Sequence, residues 1–342
     1  MAGAFAKLGN DLYTGARSVP FVGARRIWYS IAIALMLLAV ATPFIRGGGD
    51  FGAGFNFGIE FRGGSQFQVL EIDTQGADST ELQDRAEEAV QSVVPNAVVR
   101  SSTLGDDAVR AQTDQLEEAE QREVRQALAD EFSVDIDDVS ASFIGATWGA
   151  DVTGQALWGL AIFLGLAAIV LGIYFRTWKM SLAALIALAH DLVITVGVYA
   201  ATGFEITPAA VIGFLTILGF SLYDTVVVFD KIRENTSEMG SESTRTFGET
   251  VNWAANQTLV RSINTGVVAA LPVAAILFIG SFLLGADTLR DISLALLVGT
   301  IIGTYSTPFI AAPLYADLRH GEEEIKRGDK RTLALREKAV AA

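Results

Sequence analysis

Six runs of this chain are long and apolar enough to cross a bilayer, at about 27–45, 153–174, 181–202, 206–229, 261–284 and 291–314. A hydrocarbon core calls for roughly 20 predominantly apolar residues per helix, and within it every backbone polar group must be paired inside the segment. A bundle of six helices is therefore the expected scaffold. One span breaks the pattern. The stretch GFSLYDTVVVFDKIREN, 219–235, places Asp224 in a run from Ile206 to Phe229 that is otherwise apolar or small. A carboxylate at such a depth costs roughly 2.5 to 3.5 kcal/mol on insertion scales, so it faces a cavity or a partner.

Charge sets the expected topology. The formal net charge is −14, yet residues 46–151 hold 22 Asp or Glu against 7 Arg and no Lys, a net of −15. Basic residues otherwise gather at Arg25 and Arg26, at Arg176 and Lys179, at Lys231, Arg233 and Arg245, and from Arg319 to Lys338. Lys and Arg in short loops favour the cytoplasmic side. This places the amino-terminal segment 1–26, the 230–260 loop and the tail 315–342 inside the cytoplasmic (inner) membrane, and residues 46–152 outside it. Arg25-Arg26, an apolar run and Ala39-Val40-Ala41 also have the form of a cleavable signal segment, although retention of the first span is expected.

The 46–152 segment has readable periods. Gly64–Ile72 alternates as a strand does, and Ser79–Val94 has helical spacing with Leu82, Ala86, Ala89 and Val93 on one side. Ala97–Thr103 and Asp106–Thr113 read as strands joined by a turn at Leu104-Gly105, followed by a helix over Leu116–Phe132 and a strand over Val139–Ile144. The order β-α-β-β-α-β is the ferredoxin-like plan. The expected fold is thus an α-helical polytopic membrane protein with an extracytoplasmic α+β ferredoxin-like domain. Residues 231–260 read as a solvated loop through SEMGSESTRT, with Asn252–Val260 a short amphipathic lead into the fifth span.

Absences narrow the chemistry. There is no cysteine, so disulfides and thiolate metal sites are excluded. With no GxxxxGK, no HExxH and two histidines only, His190 and His320, neither a metal nor a cofactor is expected. GGGDFGAGFNFG at 47–58 follows a membrane helix and not a strand, which suits an exit from the membrane better than a phosphate cradle. The acidic outer segment argues against nucleic acid. What remains is proton-linked chemistry. Gly213, Ser221 and Asp224 return to one helical face, with Thr225 beside them as a further polar support. Asp224 lies seven residues before Lys231, about 10 Å inside the cytoplasmic end at 1.5 Å per residue. Arg261 opens the fifth span at similar depth, sharing a face with Thr258 and Thr265. An Asp224–Arg261 pair reads either as a static ion pair or as a gate, because burial favours a neutral carboxyl and a nearby guanidinium an ionised one. His190-Asp191, near the middle of the third span, are further candidates for the same path. Gly299 and Gly303, in GTIIG, have the small-xxx-small spacing of helix contact.

Three motifs carry a family resemblance. GIEFRGG at 58–64, with Gly58, Glu60, Gly63 and Gly64, is similar to the GIDFTGG that opens the outer domain in the SecD/SecF family of the RND superfamily. DTVVVFDKIREN at 224–235 and NQTLVRSINTG at 256–266 resemble that family's fourth-span signature and fifth-span entry. The likeness runs from about 25 to 318. Glu60 and Arg62 stand where Asp and Thr are usual, and Tyr223 where Asn is frequent. The resemblance implies a non-enzymatic RND-type half-transporter in membrane lipid that pairs with SecD, associates with the SecYEG channel and with YajC, and uses the proton-motive force to draw a translocating polypeptide outward. It also implies that Asp224 and Arg261 are proton-linked, and that the outer domain contacts SecD or substrate.

Two other classes share single features. Tyr223-Asp224 and Gly47-Gly48-Gly49-Asp50 match the YD and GxGD of intramembrane aspartyl proteases, but their two carboxylates must share one site. Asp50 follows the first span on the outer side, whereas Asp224 lies near the inner face. An RND exporter of lipids or drugs would normally carry two large outer domains and twelve spans in one chain. A reporter fused near residue 120 is expected outside and one near residue 243 inside; an internal residue 120 would overturn this topology.

Overall fold

The computed structural model describes residues 2–73, 77–104, 107–237, 244–282 and 287–341. Helix α1 (Ala2–Thr14) precedes α2 (Arg25–Arg46). A short strand β1 (Asn56–Phe57) and a helical turn α3 (Ile59–Arg62) lead into a sheet domain: β2 (Gly64–Val69), α4 (Ser79–Val93), β3 (Arg100–Leu104), β4 (Ala108–Thr113), α5 (Glu118–Phe132) and β5 (Val139–Ile144). The bundle resumes with α6 (Ala146–Phe175) and α7 (Trp178–Thr202), then β6 (Glu205–Ile206), α8 (Pro208–Ser237), α9 (Phe247–Phe282) and α10 (Asp287–Ser306). A π-helical segment, Thr307–Ala311, joins α10 to α11 (Ala312–His320), and α12 (Glu323–Ala341) follows. Among the described residues six helices are long and apolar enough to span a membrane: α2, α6, α7, α8, α9 and the composite Leu289–His320.

The four-stranded sheet has the order β3-β4-β2-β5 with every neighbour antiparallel, which is the strand order of the split β-α-β plan. Register explains its core. Phe67 pairs with Ala111 and Val69 with Val109, so one face of β2 and β4 is apolar, and α4 and α5 cover it with Leu82, Ala86, Val90, Val124 and Leu128. Asp78 caps α4 by accepting from the Glu81 amide at 2.8 Å, and a Glu117/Glu120 capping box starts α5. Gly64 opens β2 at φ +140°, and a Cβ there would run into the Thr113 carbonyl, so the second glycine of the pair allows β2 to seat against β4. Gly105, in the expected β3–β4 turn, lies outside the described residues.

Two boundaries differ from the sequence expectation. The polar 230–260 segment is mostly helical, because α8 continues to Ser237 and α9 begins at Phe247. Asn252–Val260 is therefore the early part of α9 and not a separate lead. Phe247, Val251, Ala254, Ala255 and Leu259 recur at helical spacing and pack into the core beside α1, which holds the helix although its other faces are polar. Residues 238–243 of this loop lie outside the described residues. The last span also runs on to His320, past Pro308: the π-helical turn there absorbs the missing amide hydrogen of the proline.

The sheet domain has its own core, so residues 62–147 expressed alone are expected to be soluble and of mixed α/β content. In that fragment Leu128→Ala, at a fully buried position, is expected to cost about 2–5 kcal/mol by urea unfolding. A fragment without a cooperative transition would show that the core depends on the bundle.

Candidate functional site

Helices α8 and α10 lie side by side in a constant register. Gly213 opposes Ala295, Ile217 opposes Gly299, Ser221 opposes Gly303, and the hydroxyls of Thr225 and Thr307, 82 residues apart, are hydrogen-bonded at 3.0 Å. Each step is four residues on both helices, so the two run parallel with their i±4 rows in contact. A Cβ added to Gly213 would stand 2.6 Å from Ala295 Cβ, and one on Gly303 3.1 Å from Ser221 Cβ. Small residues thus bring the backbones close enough for short hydroxyl side chains to reach across.

Asp191 of α7 reaches this contact at the Ser221–Gly303 step. Its Oδ2 accepts from Ser221 Oγ at 2.5 Å and from Ser306 Oγ at 2.8 Å, and its Oδ1 lies 3.1 Å from His190 Nδ1. His190 Nε2 is 2.9 Å from Tyr305 Oη. Apart from half-buried Tyr305, all these residues are buried. Asp191 therefore fastens α7 to both α8 and α10. Ser221, expected beside Asp224, bonds this other carboxylate instead, and Thr225 bonds back to the Ser221 carbonyl at 2.9 Å.

Asp224 is held differently. Oδ1 accepts from Ser262 Oγ of α9 at 2.8 Å, while Oδ2 is buried and makes no hydrogen bond of ordinary geometry among the described residues, the Thr307 hydroxyl lying close by without closing one. The expected Asp224–Arg261 pair is not made in this structure. Successive residues on a helix point about 100° apart, so with Ser262 turned to α8 its neighbour Arg261 faces outward. Its Nη2 lies 3.4 Å from the hydroxyl of Tyr223, which is 57% exposed. Thr258 is buried and bonds the Ala254 and Ala255 carbonyls, and Thr265 is half-buried one turn beyond Arg261. The pair of carboxylates a protease needs is not assembled: Asp50 lies in the loop after α2 and bonds the Gly52 amide at 2.8 Å.

The GIEFRGG residues stand elsewhere, where the sheet domain meets the bundle. Gly58 precedes α3 next to Glu60 and Glu205, and Gly63 and Gly64 turn the chain into β2 at φ +77° and +140°. Glu60 Oε2 is buried without a hydrogen-bond partner among the described residues, and burial pushes its carboxyl above the ordinary value. The residues that sequence reasoning missed are Ser262, Tyr305, Ser306 and Thr307. Their signals were the polar run TYST ahead of Pro308 in an otherwise apolar span, and the serine next to Arg261.

Residues 51–70 match the SecD/SecF GG Motif, and residues 123–321 match the family described as protein export membrane protein SecD/SecF, C-terminal. The chain belongs to the SecD/SecF family. It is 43% identical to protein translocase subunit SecF of Streptomyces coelicolor, over 98% of this chain and 86% of that one. The corresponding subunit of Mycobacterium tuberculosis is 39% identical over 97% and 75%. Protein translocase subunit SecDF of Thermus thermophilus is 31% identical over 86% of this chain and 38% of its own. A crystal structure of SecDF from the same organism, a translocon-associated membrane protein, superposes with a TM-score of 0.72 at 27% identity, over 89% of this chain and 39% of that one. The chain is accordingly a multi-pass membrane protein and a non-enzymatic accessory subunit of the Sec protein translocase. The longer of the two family matches contains Asp191, Asp224, Arg261 and Tyr305.

The ladder is testable by overfilling it. Gly303→Val would drive a branched side chain into Ser221 and toward Asp191 Oδ2, 3.6 Å from the Cβ position. An overpacking cost of roughly 1–3 kcal/mol is expected, read as a lower unfolding temperature in detergent, with Gly303→Ala intermediate. An unchanged transition in both variants would show that α8 and α10 are not held by this contact.

Proposed function

We propose that the chain couples proton movement to polypeptide export and that Asp224 is the group that takes up and releases the proton. The observation that carries this reading is the buried, unpartnered Oδ2 of Asp224 beside an Oδ1 held by Ser262. A buried carboxyl with a vacant oxygen is costly in either protonation state: ionised it lacks a donor, and protonated it lacks an acceptor. It is therefore suited to exchange partners. Arg261 supplies the exchange. It adjoins Ser262, so a turn of α9 by one residue step, about 100°, would replace a neutral hydroxyl by a cation at Asp224 and favour loss of its proton. Asp191, with donors from α8 and α10 and with His190 and Tyr305 behind it, acts as the fixed clasp against which that movement occurs.

In this reading the protein lies in the cytoplasmic membrane with both termini inside and the sheet domain outside. SecD is the matching half. A relative named SecDF, of which the matched part of this chain covers 38%, supports that pairing. The SecYEG channel and YajC complete the assembly, and the exported polypeptide is the cargo.

The test is gradient-dependent translocation of a secreted substrate in vesicles that contain SecD and the channel. Asp224→Asn is expected to insert and fold, since a neutral amide is cheaper in the membrane than a carboxylate, yet to lose the gradient-dependent part of export. Asp224→Glu is expected to retain a fraction of it, Arg261→Ala to impair it, and Arg261→Lys to keep part, because a point charge replaces a planar fork. Full activity of Asp224→Asn combined with Arg261→Gln would show that the aspartate is structural.

A further inference from the structure

The face of the sheet turned away from its own core carries Gln66, Gln68, Arg110 and Gln112, with Gln66 opposite Gln112 and Gln68 opposite Arg110. Strand alternation alone would leave this polar face to water. The bundle covers it instead. The Arg110 side chain is only 6% exposed, and its Nη1 donates to Glu205 Oε2 at 2.8 Å. Glu205 lies in β6, between α7 and α8, and its Oε1 accepts from Gln112 Nε2 at 2.6 Å. Two residues on, Thr207 Oγ1 donates to Asp291 Oδ2 of α10 at 2.9 Å, and the Asp291 carbonyl accepts from Tyr199 Oη of α7 at 2.9 Å. A cavity of ≈ 490 Å³ adjoins the cluster, with Glu60, Gln68, Thr207 and Asp291 in its wall.

Position gives the cluster its meaning. Helix α8, which carries Ser221 and Asp224, starts at Pro208, and Asp291 stands near the start of α10, which carries Gly303 and leads into Ser306 and Thr307. The two helices that form the ladder are therefore tied to each other near their starts, beside Glu205, which bonds Arg110 and Gln112 of β4. We propose that Arg110 and Glu205 are positioning residues that form the joint through which a displacement of α8 and α10 reaches the sheet domain, with Thr207 and Asp291 binding the two helix ends into one unit. This rests on the proton-coupled reading of Asp224 above.

The chemistry suits a joint that transmits and does not slip. An apolar contact can slide, whereas a buried ion pair whose remaining oxygen is also bonded resists separation, because drawing the charges apart out of water forfeits their attraction without regaining hydration. Seating of the domain does not depend on the pair alone. Strand β1 pairs in parallel with β6, and Asn56 Nδ2 donates to the Gly203 carbonyl at 2.6 Å. Loss of the pair should therefore leave the domain attached but uncoupled.

The experiment measures gradient-driven and gradient-independent translocation in vesicles containing the full chain, SecD and the channel. Limited proteolysis of the same membranes reports the fold of the sheet domain. Glu205→Gln and Arg110→Gln are each expected to cut the gradient-driven part at least tenfold, with gradient-independent export and the protease pattern of the domain core unchanged, and the swapped pair R110E/E205R is expected to recover most of it. Full gradient-driven export in both single variants overturns the proposal. So does a swapped pair that inserts and folds but stays uncoupled, and if a single variant fails to accumulate the swapped pair decides alone. Asp224→Asn, run alongside, separates the two readings: normal coupling in that variant removes the proton reading itself, whereas its loss together with active joint variants removes only the joint.

Discussion

Close approach of α8 and α10 is the contact on which the rest of the bundle depends. Within a bilayer helices gain nothing by hiding apolar surface from one another, since lipid is equally apolar, and association rests on packing and hydrogen bonds. Gly213, Gly299 and Gly303 remove the side chains that would hold the backbones apart. The hydroxyls of Ser221, Thr225, Ser306 and Thr307 can then reach partners across the gap. A wider spacing would break the Thr225–Thr307 hydrogen bond and draw one of the two serines away from Asp191, in a medium that offers no water in exchange.

The two intramembrane aspartates illustrate opposite uses of the same chemistry. Asp191 takes hydrogen bonds from two serines and adjoins a histidine, which makes it a clasp among three helices. Asp224 has one serine and one vacant oxygen, in a position equally buried. A saturated buried polar network rigidifies and specifies one arrangement, while a partly satisfied one leaves a buried polar group at a cost. The π-helical turn at Thr307–Ala311 in the last span begins next to Ser306, which bonds Asp191.

The sheet domain repeats the theme at the edge of the membrane. Its apolar face is satisfied within the domain by α4 and α5, so it folds around its own core. Its polar face is bonded partly within the sheet, Gln112 to Gln66, and partly to the bundle, through Glu205.

The sequence alone determined the local and one-dimensional features: six spans from apolar run length, the β-α-β-β-α-β order from period, and the singular position of Asp224 from the cost of a charge among apolar residues. The family was legible too, because GIEFRGG and DTVVVFDKIREN are contiguous motifs. Contacts between distant segments were not. That Ser221 would bond Asp191, and that Ser262 would face Asp224 in place of Arg261, follow from the rotation of each helix about its axis, which is set by neighbours distant in sequence and not by the helix's own pattern when nearly every face is apolar. The low polarity contrast around a membrane helix removes the signal that fixes facing in a soluble one. The same holds for Arg110, whose burial depends on where the sheet domain docks. Tertiary structure decided which of several polar residues meet, since a hydrogen bond requires a particular distance and direction while a sequence pattern specifies only a face.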